Sequence, residues 1–246
     1  MNNKTLGIII KRQNFAEADR ILTIFTERFG KVKAIARGVR KIAAKMAGSL
    51  EPFMLVELQL YEGRNFFTVT GAQIVRDFPT VHTDLEKMAK AFYMGELIDK
   101  FETERQRSVG AFELLAGALD ALDNSNKALV VRAFEVRLLK LGGFWPDLSE
   151  CLHCKRVIGP DENYWDGNEG GLICPECQKV NYHGQPVTVN LVKLLRLIER
   201  EEYSTIIRLK VALELEREIE GVLSLYIKHI LESDIRSERF MRGVEH

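Results

Sequence analysis

Cys151, Cys154, Cys174 and Cys177 are all the cysteines of the chain, and they stand as two C-x-x-C pairs with nineteen residues between them. Each pair offers two thiolates on one short turn, so together they supply the closed tetrahedral sulfur set of a zinc ion. The spacing predicts one Zn2+ with a structural role, because catalytic zinc needs an open coordination position that four thiolates deny. The enzymatic rival is a zinc deaminase, whose signature is H-x-E followed by P-C-x-x-C. Here Ile173 precedes Cys174, Glu176 lies between the ligands and no H-x-E stands upstream. A disulfide framework suits reduced cytoplasmic cysteines poorly. The rest of the chain has no phosphate loop, nucleophile elbow or H-E-x-x-H, and the expectation is a protein that is not an enzyme.

The second candidate chemistry is phosphate binding. The chain is neutral overall, with 35 basic and 35 acidic residues. Residues 1–50 nevertheless hold eleven Lys or Arg against three acids, and the compensating negative charge lies downstream. Segregated charge draws a polyanion to one end of a neutral protein, although a solvated basic surface gives the same count. Arg37, Arg40, Lys41 and Lys45 fall within nine residues, unopposed until Glu51. They are the expected phosphate contacts, with Lys31, Lys33 and Arg12 on the neighbouring strands extending the set. Phe15, Phe29, Phe66 and Phe67 are candidate stacking platforms for bases. Strand alternation sends Phe66 and Phe67 to opposite faces, without saying which is exposed.

The elements that must position these groups change character at about residue 79. Before it, alternating apolar runs at 5–13, 18–38 and 53–75 read as strands, with turns at Phe29-Gly30 and at Glu62-Gly63-Arg64-Asn65. Five short strands fit a small barrel, the five-stranded oligonucleotide-binding (OB) barrel being the commonest of that size; pattern alone leaves an SH3-like barrel open. After it, apolar residues recur at helical spacing, and a helix over 127–141 carries too many of them for one stripe, so it is expected at the centre of its domain. Thr188 or Asn190 is the expected N-cap of a helix after the cysteines. The fold class is thus multidomain α+β: an OB barrel over residues 1–79 and an all-helical domain over 80–246, carrying a zinc-knuckle module at about 149–182. Neither an eighteen-residue apolar run nor a cleavable leader is present, so a cytoplasmic protein with no membrane contact is expected.

Over nearly its whole length the chain resembles the RecO family of bacterial recombination mediators. The resemblance is carried by "ADRILTIFTERFGKVKAIARGVRK", "LEPFMLVELQLYEG", "VVRAFEVRLLKLGGFWPDLSECLHC", "GGLICPEC" and "YIKHILESDIRSERFM". It implies an OB barrel, a helical body and a zinc knuckle on the four cysteines. It also implies binding of single- and double-stranded DNA, annealing of complementary strands, and help for RecA, together with RecR, in loading onto DNA coated by single-strand-binding protein. The implied partners are DNA, RecR, the C-terminal tail of single-strand-binding protein and, indirectly, RecA, in association with the nucleoid. The family's basic barrel segment falls on Ala36, Arg37, Gly38, Val39, Arg40 and Lys41. Arg132, Arg137 and Lys140 are candidate partner contacts. The competing functions are a zinc-dependent nucleic-acid-modifying enzyme and a protein scaffold that does not bind DNA.

Overall fold

A computed structural model describes residues 2–41, 46–160, 163–180 and 184–244. The alternating segments near the N-terminus become β1 (Asn2–Phe15), β2 (Asp19–Thr26), β3 (Gly30–Ala36), β4 (Leu55–Glu62) and β5 (Phe67–Arg76). They close into a barrel in the order β1-β2-β3-β5-β4, with β3 and β5 parallel and the other pairs antiparallel. This closure is OB-like and replaces the open choice between barrels. β1 outruns its sequence pattern because it serves two neighbours: Asn2 to Ile8 pair with β4, while Gly7 to Phe15 pair with β2. The change of partner is accommodated by a register shift between Ile9 and Lys11, the local irregularity that lets a strand bend around a closed sheet. Inward-facing Ile9, Leu22, Ile24, Val32, Leu58, Leu60 and Phe67 form the barrel's apolar interior.

The described residues form two compact units, Met1–Asn124 with Arg236–His246, and Ser125–Ile235. In the first, α1 (Pro79–Thr83), α2 (Leu85–Phe101) and α3 (Val109–Asn124) follow the barrel. Asp84 caps α2 by accepting from the Glu86 and Lys87 amides. Outward-facing Phe25 of β2 and Phe53 of the turn before β4 pack on these helices: Phe25 lies 6.0 Å from Phe112 and Phe53 meets Phe92 edge-on at 5.0 Å. The segment after α2 lies along β3, where the Arg105 amide donates to the Lys31 carbonyl at 2.8 Å. Gly30, at φ +63°, makes that approach possible, since a Cβ there would sit 1.9 Å from the Gln106 carbonyl oxygen.

In the second unit, α4 (Ala128–Leu141) is buried over most of its surface, as a central helix must be. Its own Arg132 and Glu135 form a buried ion pair at 3.0 Å. The unit continues with β6 (Asn163–Asp166), β7 (Gly171–Ile173), α5 (Pro175–Val180), β8 (Gln185–Val187), α6 (Val189–Arg200), α7 (Tyr203–Ile206) and α8 (Leu213–Leu231). Thr188 caps α6 through its hydroxyl, which accepts from the Leu191 amide at 3.1 Å. No helix among the described residues is long and apolar enough to cross a membrane.

The chain then returns to the first unit as α9 (Arg236–Val244), which packs on α2. One carboxylate receives it. Glu96 of α2 accepts from the Arg236 amide at 3.1 Å, the Ser237 amide at 2.8 Å and the Ser237 hydroxyl at 2.6 Å. Burial alone would raise the Glu96 carboxyl, but these hydrogen bonds, with Lys100 nearby, outweigh it and hold the group below its ordinary value. A carboxyl depressed in the folded state stabilises fully above its unfolded value of about 4.3 and loses that contribution as pH falls through the lower folded value. Glu96→Gln should cost about 1 kcal/mol, the size of a missing cap. Amide exchange should report α9 opening faster in Glu96→Gln at neutral pH, and wild type approaching that behaviour only in acid.

Candidate nucleic-acid interface and metal centre

Helices cover only part of the β1–β2–β3 surface. Beyond them, strand register sets outward-facing residues in cross-strand rows: Lys11 with Thr23 and Lys33, then Gln13 with Ile21 and Ile35, then Phe15 with Asp19. Arg37, one residue past β3, is exposed and continues the alternation of Lys33 and Ile35. The result is a strip with exposed cations at Lys11, Lys33 and Arg37, half-buried Ile21 and Ile35 between them, and an exposed phenyl ring at Phe15. Cations that hold a phosphate backbone beside apolar side chains that meet bases are the two components of a single-strand groove.

The rim is fixed by main-chain contacts. The Gly38 amide donates to the Asp19 carboxylate at 2.7 Å, the Arg40 amide donates to the Ala18 carbonyl at 2.9 Å, and the Arg40 guanidinium reaches the Ala16 carbonyl at 3.3 Å. Arg40 and Lys41 are exposed at this rim, and Lys45 lies outside the described residues.

The other expected contacts are differently placed. Lys31 is buried; its ammonium donates to the Asp99 carbonyl and pairs with the Asp99 carboxylate at 3.1 Å, so it faces α2 and away from the open strip. Its place along the strand is the reason: Lys31 and Lys33 share a face, but Lys31 shares its row with Phe25, which packs against Phe112 of α3. Lys33 stays exposed but pairs with Glu104 at 2.6 Å. Arg12 points to the opposite face of the hairpin, where it and Arg20 both bind Glu51. Arg20 had no place among the expected contacts. Its signal is the register Asn14 to Arg20, which depends on a turn at Ala16–Ala18 that no Gly, Pro or Asn marks, Ala16 itself taking φ +49°. Of the adjacent phenylalanines, Phe67 is the core residue, packed 5.8 Å from Phe29, and Phe66 is half-buried.

In the second unit the four thiols converge, with every Sγ within 4.8 Å of the others. The first pair sits on a turn closed by the Cys151 amide donating to the Arg156 carbonyl at 2.7 Å and the Lys155 amide donating to the Cys151 carbonyl at 3.1 Å. Cys174 directly follows β7 and Cys177 lies in the first turn of α5. The sulfurs of Cys154 and Cys174 are 3.7 Å apart, too far for a disulfide and close to the roughly 3.8 Å edge of a tetrahedron with metal–sulfur bonds of about 2.3 Å. Burial alone would raise the Cys151 thiol, but amides of Cys154, Cys174 and His153 bring it down to about 6. Cys177 is pushed up to about 12 by desolvation and by the neighbouring sulfurs. Four thiolates in one space repel unless a cation joins them, so the donor set fits a soft divalent metal with no coordination position left over.

The cluster is carried on an aromatic stack. Trp165 of β6 lies 6.0 Å from Trp145 and 5.8 Å from Tyr226 of α8, whose hydroxyl donates to the Phe144 carbonyl. Gly170, at φ +67°, lets the β6–β7 turn lie on Tyr226, since a Cβ there would fall 2.1 Å from the ring. The candidate partner contacts on α4 are engaged within the unit: Arg132 pairs with Glu135, Arg137 lies 4.5 Å over the Tyr203 ring, and Lys140 pairs with Glu199 at 2.6 Å.

A closed OB-like barrel with a basic open strip, followed by helices and a cluster of four thiols that could hold a metal ion, defines a barrel-and-helix protein. Comparison with known proteins gives the family. Residues 1–78 match Recombination protein O N terminal, and residues 82–239 match Recombination protein O C terminal. The chain is 37% identical over 232 residues to the DNA repair protein RecO of Dehalococcoides mccartyi, covering 94% of this chain and 91% of that one. It is 36% identical over 243 residues to that of Roseiflexus sp. (strain RS-1), covering 98% and 85%, and 30% identical over 249 residues to that of Syntrophus aciditrophicus, covering 99% and 96%. The chain belongs to the recombination protein O family.

The ion pair between Lys33 and Glu104 makes the strip testable. Hydrogen bonding to Glu104, and its charge, raise the Lys33 ammonium above its ordinary value of 10.5. Glu104→Gln should bring Lys33 back towards that value, measured by side-chain NMR titration, and an unmoved titration would contradict the pairing.

Proposed function

We propose that the protein is a DNA-binding recombination mediator in DNA repair that carries out no chemical step on DNA. Family membership across both halves of the chain supports the role. The observation that carries the mechanism is the basic, partly apolar strip on β1–β3. Lys11, Lys33 and Arg37 on the strip, with Arg40 and Lys41 at its rim, hold phosphates, while Phe15, Ile21 and Ile35 offer surfaces to unstacked bases. Annealing needs two polyanions brought together, and fixed cations lower their repulsion without a general base or nucleophile. Residues 1–79 are thus the nucleic-acid-binding domain. In this reading RecR, the tail of single-strand-binding protein and, indirectly, RecA are the partners.

Arg37→Ala, Arg40→Ala and Lys41→Ala combined should weaken binding of all sequences about equally, because backbone contacts do not read bases. The slope of log affinity against log salt should fall by up to roughly 0.7 for each single-strand phosphate that the variant no longer neutralises. Fluorescence anisotropy of labelled oligonucleotides measures both quantities. A folded triple variant that matches wild type in both would place the interface elsewhere.

The metal we assign to Cys151, Cys154, Cys174 and Cys177 is one Zn2+ per chain. When bound it joins two segments of the second unit and supplies no reactive position. Zinc binding free energy is coupled to local folding. Cys174→Ser should therefore lower metal content well below one ion per chain by elemental analysis, and should loosen the β6–β7 region in amide exchange. Full zinc retention in that variant would refute the assignment.

A further inference from the structure

The hairpin of β1 and β2 has a second basic face. Arg12 pairs in register with Leu22, a core residue, and Asn14 with Arg20, so Arg12, Asn14 and Arg20 continue the inward side of the sheet. Glu51 lies against that side. Its Oε2 accepts from Arg12, and its Oε1 accepts from Arg20 at 3.1 Å. Arg20 is mostly shielded, with 19% of its side chain exposed, and its Nε–H is buried without an acceptor. Glu51 thus serves each guanidinium through one oxygen and leaves a donor of Arg20 unanswered. A phosphodiester has unesterified and bridging oxygens arranged around phosphorus, and can take two donors of one guanidinium while still reaching a second.

We propose that Arg12 and Arg20 form a phosphodiester-binding fork that Glu51 fills in the free protein, so that a nucleic-acid backbone binds there by displacing an internal carboxylate. The inference rests on the nucleic-acid reading above and adds its regulation: Glu51 is a built-in competitor. Its ion pairs are partly exposed, so they are weak enough to exchange. They also neutralise the fork in the free state, so fewer counterions are released there when DNA arrives.

The test is anisotropy with a fluorescent oligothymidylate across a salt series, using the full chain. Glu51→Gln should tighten binding roughly three- to tenfold at low salt, the scale of one or two partly exposed ion pairs. It should also steepen the salt dependence by up to roughly 0.7 for each additional phosphate that the freed arginines neutralise. The gain should vanish in Glu51→Gln/Arg20→Gln. Glu51→Asp, whose shorter side chain cannot span both arginines, should shift affinity the same way by less, and it carries the test if the glutamine variant does not fold. Unchanged or weaker binding by a folded Glu51 variant overturns the proposal, because Glu51 would then only brace the arginines. Wild type binding the oligonucleotide with no Glu51 effect sinks this inference alone; no binding by wild type or any variant sinks the nucleic-acid reading as well.

Discussion

The double pairing of β1 is the constraint on which the barrel and its surface depend. One strand must satisfy the edges of both β4 and β2, and a straight strand cannot do so in a sheet this small. The register shift between Ile9 and Lys11 bends it. Before the shift, β1 supplies Ile9 to the core; after it, Lys11 and Arg12 turn to opposite faces of a hairpin that continues to Phe15 and Asp19. Closing the barrel and presenting cations on it are therefore one structural event.

A positive excess gathered on so small a barrel needs restraint, and carboxylates provide it. Asp99 takes Lys31 out of the surface, Glu104 holds Lys33, and Glu51 holds Arg12 and Arg20. Two of these acids come from α2 and the segment behind it, so those residues cover the lower barrel and also sort its basic side chains into buried and exposed. Arg37 and Lys41, exposed beyond that reach, are the less restrained cations. The thiol cluster follows a similar logic in the second unit, where groups that repel as anions are gathered by short turns and by the stack of Trp145, Trp165 and Tyr226.

Much of this was legible in the sequence because it is local. Alternation within 53–75 became β4 and β5, the crowded apolar helix of 127–141 became the buried α4, Thr188 became an N-cap, and the C-x-x-C pairs brought four sulfurs together. What stayed hidden depends on partners distant in sequence. Lys31 and Lys33 look equivalent two residues apart, yet only the position of α2 and α3 decides that one is covered. The return of α9 to Glu96 spans 140 residues for the Arg236 hydrogen bond. The fork of Arg12 and Arg20 needed a turn with a left-handed alanine, for which residue type gives no warning.

The central claim is that the outer strip of β1–β3 holds nucleic acid. Amide hydrogen exchange of the whole protein, with and without a saturating oligothymidylate, tests it most directly. Protection should appear over 11–21 and 33–41, and the helices facing Lys31 should be unchanged. Protection confined to 125–235, with the hairpin and the β3 rim unaltered, would contradict the account.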